Sequence, residues 1–350
     1  MKLEAYLKSL TERAASEREA KRPSAAGERR DEELRATFRR LLGHFPEQRM
    51  EPSEPLLLER TPCDGYTRER VEIATLEGLR MGVYILTPDR AASSDLAPAV
   101  VACHGHGYGS REIVGLEPDG RERKAAPGLH KDFAVQLVKK GFVVAAPELI
   151  GFGDRKLEED KTDEPGKNSC FKLAAHLLLT GRTLAGLRVS ETRRVIDYLQ
   201  ERPEIDASRI GIMGISGGGL VAGFAAALDE RIRCAVVSGY ASLFAESILD
   251  RNHCLDNYIP GVLMEAEMSE LLALIAPRGL WLESGAADRV FPQAPARKAF
   301  EELKRRYAEL DAGEAVQADF FEGGHEIHGT PAYAWLRERL MDSGLSSERG

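Results

Sequence analysis

The sequence predicts an α/β fold, a mostly parallel central sheet with helices on both faces. Apolar runs of strand length alternate with segments of helical period from Tyr66 to Phe321. Several of these runs are apolar throughout, the pattern of strands covered on both faces. Regular alternation of strand and helix then requires a sheet sandwiched between helical layers.

The elements follow in order. Leu3, Tyr6, Leu7 and Leu10 fall at helical spacing, as do Leu34, Phe38, Leu41, Leu42 and Phe45 before Pro46. Residues 1–50 therefore read as an N-terminal helical extension outside the main core. Its two helices join around Pro23-Ser24-Ala25-Ala26-Gly27 and pack on the domain, or on a second copy as a homo-oligomer contact. Pro46, Pro52 and Pro55 mark a connecting segment, and residues 51–350 form the main α/β domain. Val71 to Thr75 and Leu79 to Leu86 predict two strands with a turn near Glu77-Gly78. Ala99 to Cys103 and Phe142 to Ala146 predict buried strands, with a helix from Asp132 to Lys140 closed by Gly141. A long helix spans Leu184 to Arg202, a strand Arg209 to Met213, and a helix of small residues Gly217 to Leu228. Ile232 to Val237, Gly279 to Glu283 and Val316 to Phe321 complete the strands. Residues 152–182 and 241–278 break the alternation and read as insertions on the carboxyl edge of the sheet, where open α/β sheets bind ligands.

Composition bounds the function. The 350 residues carry a formal charge of −8 spread along the chain, which argues against nucleic acid or an anionic membrane as partner. No apolar run is long enough to span a bilayer, and the charged N-terminus lacks a signal-peptide core. Cys63, Cys103, Cys170, Cys234 and Cys254 are scattered, without CxxC, so the thiols read as reduced and the compartment as cytoplasmic.

The strongest local signal is Gly214-Ile215-Ser216-Gly217-Gly218, between an apolar strand and a helix of small residues. This G-x-S-x-G turn needs glycine at both flanks, because side chains there would collide with backbone. It lifts the Ser216 hydroxyl above the sheet, at a helix N-terminus that favours an oxyanion. A serine hydroxyl needs a base. In this strand–turn–helix setting the acid and base follow downstream. Asp288 lies on the loop after Gly279–Glu283 and His325 in Gly323-Gly324-His325-Glu326, giving the candidate triad Ser216, Asp288 and His325. Glu283 and His328 are the alternatives for acid and base. His325 and His328 are three apart beside glycines, not four apart on a helix face, so no metal or other cofactor is expected there. The loop His104-Gly105-His106-Gly107-Tyr108-Gly109 is expected to supply an oxyanion donor. The backbone N–H groups of His106 and Gly217 are the candidates, with His104 holding the loop. Tyr108 and His253 are expected to line the substrate pocket, and Glu148 and Arg155 to pair across the first insertion.

With these motifs the sequence resembles the α/β-hydrolase superfamily, and within it bacterial dienelactone-hydrolase-like and acetyl xylan esterase-like serine esterases. The shared stretches include His104-Gly105-His106-Gly107, Gly151-Phe152-Gly153-Asp154-Arg155, Gly181 to Gly186, Asn252 to Gly261, Ala276-Pro277-Arg278 and Gly323-Gly324-His325-Glu326. The resemblance implies hydrolysis of a small-molecule ester through an acyl-serine. Dienelactone hydrolases use cysteine where this chain has Ser216, which argues against dienelactone as substrate. Acetyl xylan esterases usually carry tyrosine where His106 stands. The expected activity is short-chain ester hydrolysis, acetyl above all and extending to carbohydrate esters. A peptidase resembling the prolyl-oligopeptidase group and a non-catalytic binding protein on the same fold are the alternatives.

Overall fold

The computed structural model describes residues 2–20, 28–45, 54–76, 78–89, 96–162 and 164–341. The strands are β1 (Leu56–Cys63), β2 (Tyr66–Ala74), β3 (Arg80–Pro88), β4 (Ala97–Cys103), β5 (Val143–Pro147), β6 (Ile205–Ile215), β7 (Ile232–Ser238), β8 (Gly279–Gly285) and β9 (Val316–Phe321). They form one sheet in the order β1-β2-β3-β5-β4-β6-β7-β8-β9. The β1–β2, β2–β3 and β3–β5 pairs are antiparallel, and every pair from β5–β4 to β8–β9 is parallel.

The apolar strands work as their composition requires. Along β4, Ala99, Val101 and Cys103 enter the core on one face, and Val100 and Ala102 enter the core on the other. The first face is covered by α6 (Leu184–Glu201) and α7 (Gly217–Leu228), the second by α4 (Phe133–Lys139) and α10 (Thr330–Met341). The remaining helices are α1 (Leu3–Ala20), α2 (Glu28–Leu42), α3 (Ser110–Ile113), α5 (Cys170–Leu179), α8 (Met268–Leu272) and α9 (Gln293–Ala308). None of the helices is long and apolar enough to cross a membrane among the described residues.

Three expectations change. The sequence reading assigns no strand between the connecting segment marked by Pro46, Pro52 and Pro55 and Tyr66, yet β1 forms there as an edge strand with a register shift between Leu57 and Glu59. Its leucines 56–58 are exposed, so no inside–outside alternation marks it in the sequence. Helices α9 and α10 form where the sequence reading assigns none. The N-terminal extension also divides in two. Helix α2 joins the main core: Phe38 is fully buried with its ring edge-on to Phe224 of α7, 4.9 Å between centroids. Burial of such a side chain contributes about 1.5–3 kcal/mol. Helix α1 is held at its C-terminal half by buried Ala14 and by Arg18, whose guanidinium donates to Leu263 O at 2.7 Å. Leu3, Tyr6, Leu7 and Leu10 stay 42–68% exposed, so this stripe does not pack on the domain. The joint at 23–27 and the boundary near residue 50 lie outside the described residues.

Candidate active site

Strand β6 delivers Ser216 to the carboxyl edge of the sheet, one residue before α7. Ser216 has φ 56° and ψ −124°, a backbone conformation that costs a non-glycine residue about 1–3 kcal/mol. Its N–H donates to Ser238 O at 2.9 Å, which ties the turn to the end of β7. The flanking glycines are sterically required, as the sequence predicts. A Cβ on Gly214 would stand 2.1 Å from Gly218 O, and one on Gly218 would stand 2.0 Å from Cys103 O. Cys103 is paired with Gly214 in the sheet, so it has nowhere to retreat. Gly218→Ala should therefore lower stability by about 1–3 kcal/mol or more, the cost of overpacking. A urea titration checks this; an unchanged midpoint would mean the turn is looser than these contacts require.

His325 and Asp288 meet as the sequence predicts. His325 Nδ1 lies 2.8 Å from Asp288 Oδ2. The other carboxylate oxygen, Oδ1, accepts from Val290 N at 2.7 Å and Phe291 N at 2.8 Å. Both oxygens of the buried acid are thus satisfied, and its orientation is set by backbone. Ala286 N and Ala287 N donate to Phe321 O and Gly323 O, fastening the acid loop to the histidine loop. A Cβ on Gly239 would lie 3.1 Å from the His325 ring. Ser216 and His325 therefore flank the same Ser238–Gly239 junction. Of the alternatives, Glu283 accepts from Gly329 N, and burial pushes its carboxyl group above the usual range. His328 pairs with Asp319 instead.

The loop after β4 is held from beneath by two buried histidines. Leu149 N donates to His104 Nε2 at 3.1 Å, so the His104 proton sits on Nδ1, 2.8 Å from Gly105 O. Gly105 N donates to His130 Nε2 at 2.9 Å, and His130 Nδ1 lies 3.0 Å from Glu112 Oε1. Glu112 Oε2 accepts from Tyr108 N, while Glu148 accepts from both the N–H and the hydroxyl of Ser110. The loop keeps His106 N–H clear of any acceptor among the described residues, and Gly217, first residue of α7, has no intrahelical acceptor for its own N–H. Sequence reading names His104 for this supporting role and misses His130, a lone histidine 25 positions downstream of Gly105 with no motif around it.

Burial holds the His130 pKa below its ordinary value, against the pull of Glu112. The unfolded chain then binds this proton more readily than the folded one, so stability falls as pH drops below about 6.5. His130→Gln keeps an acceptor for Gly105 N–H but removes the titration. Urea unfolding at a series of pH values should show a shallower acid-side loss in the variant; identical slopes would mean that His130 takes no part.

The Tyr108 hydroxyl is engaged within its own loop region: it donates to Leu116 O at 2.9 Å and accepts from Arg123 at 2.7 Å. Tyr108 borders a separate polar recess of about 350 Å³ with Arg111, Asp154 and Lys156. His253 approaches the triad: its ring packs on Phe291 at 4.9 Å, and Phe291 stacks on His325 at 5.9 Å. Burial lowers the His253 pKa, and its Nε2 is buried without a hydrogen-bond partner. Glu148 and Arg155 do not pair through their side chains. Arg155 donates to Glu148 O and forks onto Glu191 at 2.8 and 2.6 Å, while the Glu148 carboxylate serves the oxyanion loop.

One constellation is not legible in the sequence. The His106 ring lies over Gly217 and edge-on to Phe152, with Cys170, Cys254 and Asp256 beyond it. Fully buried Arg188 donates to Asp256 Oδ2 at 2.6 Å and to Cys170 Sγ at 3.1 Å. A hydrogen bond with Cys254, together with the charge of Arg188, lowers the Cys170 thiol to about 5, and Cys254 is correspondingly raised. Burial opposes charge on His106, but Cys170 and Asp256 outweigh it and raise its pKa.

The sheet topology and the gathering of Ser216, His325 and Asp288 at one edge define a hydrolase of the α/β-hydrolase class. The chain belongs to the Abhydrolase family, whose model matches residues 5–304. It is 29% identical over 305 residues to "Putative hydrolase YtaP" of Bacillus subtilis (strain 168), covering 84% of this chain and 93% of that protein. Glucuronoyl esterase from Solibacter usitatus superposes with a TM-score of 0.61 at 16% identity, covering 88% of this chain and 90% of that one. Acetyl Xylan Esterase 1 from Thermoanaerobacterium sp. JW/SL YS485 gives 0.56 at 17% identity, with 89% and 92% covered. At these identities the likeness to solved structures is one of fold.

Proposed function

We propose that the chain is a cytoplasmic serine carboxylesterase that hydrolyses short-chain esters, acetyl esters above all, with acetylated carbohydrates as the natural class. The observation that carries this reading is the 2.8 Å contact between His325 Nδ1 and Asp288 Oδ2 beside a strained Ser216. Ser216 attacks the ester carbonyl and His325 takes its proton; Asp288 keeps the imidazole proton on Nδ1. The N–H groups of His106 and Gly217 receive the oxyanion. Protonated His325 then donates to the leaving alcohol, and water repeats the sequence on the acyl-enzyme. These groups suffice for both half-reactions. The esterase names of the structural neighbours favour an ester over an amide. Ser216 is nearly buried, which favours a small acyl group. The five free thiols suit a reducing compartment.

Pre-steady-state hydrolysis of p-nitrophenyl acetate tests the chemistry. A nitrophenol burst, declining rates with longer acyl chains and release of acetate from acetylated sugars are expected. Faster turnover of peptide anilides than of any ester would replace the reading with a peptidase.

The exposed stripe Leu3, Tyr6, Leu7 and Leu10 supports a second copy of this chain as partner, since only the C-terminal half of α1 is held by its own domain. Leu7→Glu should halve the mass seen by light scattering. A wild-type chain that is already monomeric at high concentration would remove this reading.

A further inference from the structure

Four metal-ligating side chains converge beside the oxyanion loop without entering the proposed reaction path. His106 Nε2, Cys170 Sγ, Cys254 Sγ and an Asp256 carboxylate oxygen all lie within 4.8 Å of one another. His106 Nε2 stands 4.0 Å from Cys170 Sγ and 3.8 Å from Asp256 Oδ2. We propose that this tetrad is a closed four-coordinate site for a borderline-soft divalent cation, zinc in the first instance.

The donor set is the first argument. Two sulfurs, an imidazole nitrogen and a carboxylate oxygen are the ligands zinc takes in structural sites. Tetrahedral zinc with ordinary bond lengths separates its ligand atoms by about 3.3–3.8 Å. The observed spacings need only modest contraction, and His106, Cys254 and Asp256 sit on loops or short turns while Cys170 opens α5.

Charge is the second argument. With both thiols ionised, the tetrad carries two thiolates and one carboxylate, faced by one fully buried guanidinium. A divalent cation held by both thiolates and the carboxylate brings that group to neutrality, the balance that burial of charge requires. Arg188 spans only the Cys170–Asp256 edge and is itself anchored on Ile150 O. Held there it orients two ligands from outside, as partners of metal ligands do.

The site joins three segments far apart in sequence: the oxyanion loop, the start of α5 in the first insertion, and residues 254–256 of the second. All four positions come from protein, so no position is open to water or substrate, and the ion's part is to hold the His106 loop. With Nε2 on the metal, the imidazole proton resides on Nδ1, which faces Gly217.

The test uses the full chain, stripped with chelator, reduced, and titrated with zinc chloride by calorimetry. Cobalt(II) serves as a parallel probe through its thiolate-to-metal charge-transfer absorption. One zinc per chain is expected. Cys170→Ser and Cys254→Ser should each weaken zinc by more than about 100-fold and diminish the cobalt band, whereas Arg188→Lys should cost about 10–100-fold, the range for an outer partner. Cys63→Ser, on distant β1, should bind as wild type does, and circular dichroism confirms that each variant is folded. Reduced wild type that takes up no stoichiometric zinc, or Cys170→Ser that binds as tightly as wild type, would overturn the site. If peroxide consumes both thiols in wild type and zinc uptake is absent after re-reduction, the pair is a disulfide couple and the metal assignment falls. None of these readouts depends on ester turnover.

Discussion

Ser216→Ala should reduce turnover of p-nitrophenyl acetate by about 10⁶-fold, the loss typical when the nucleophile of a triad is removed. The alanine keeps the Cβ that the turn already accommodates at φ 56°, so the strained backbone and the N–H bond to Ser238 O should persist. The proposed oxyanion donors are backbone groups and survive the substitution, so a residue of about 10³–10⁴ over the uncatalysed rate should remain. Labelling by a fluorophosphonate should vanish with the hydroxyl. The thermal midpoint should stay close to wild type, which separates loss of chemistry from loss of fold. A drop of only tenfold, with labelling retained, would move the nucleophile elsewhere in the chain.

Asp288→Asn should cost about 10⁴-fold in kcat with little change in KM. The size follows from the geometry around the carboxylate. Oδ1 accepts two backbone N–H groups, from Val290 and Phe291. An asparagine amide cannot turn its NH₂ toward two donors, so its carbonyl oxygen takes that side. The NH₂ is then forced toward His325 Nδ1, where it demands a lone pair. The imidazole proton moves to Nε2, the atom that has to accept the Ser216 proton, and the base is disabled in place. Steady-state kinetics against short esters reads the effect. A loss under tenfold would transfer the acid role to Glu283, whose buried carboxyl is biased toward the neutral form and is engaged by Gly329 N–H.

The turn around Ser216 was readable because its requirements are local. Glycine at 214 and 218, a preceding apolar strand and a following helix of small residues all lie within about one turn-and-strand of Ser216, and the structure shows a backbone clash behind each glycine. Asp288 and His325 were readable because they sit on loops after strands whose apolar character is itself visible. Edge strand β1 was not, because an exposed edge imposes no burial pattern on its side chains. His130 supports the oxyanion loop through one hydrogen bond to Gly105 N, a contact with no preferred spacing in sequence.

By itself the sequence determined the apolar strands β2 to β9 of the sheet and set Ser216, Asp288 and His325 on the turns and loops that follow three of them, but not edge strand β1 or helices α9 and α10. Those features follow from apolar period, steric exclusion at glycines and chain direction, which act over a few neighbouring residues. Only the tertiary structure decided that the Tyr108 hydroxyl is taken up by Leu116 O and Arg123, that α2 enters the core while the apolar stripe of α1 stays exposed, and that His106, Cys170, Cys254 and Asp256 meet around one edge of Arg188. These depend on how two insertions fold against the same loop. Contacts between segments so far apart are set by packing and charge balance in the assembled interior, which leave no periodic trace along the chain.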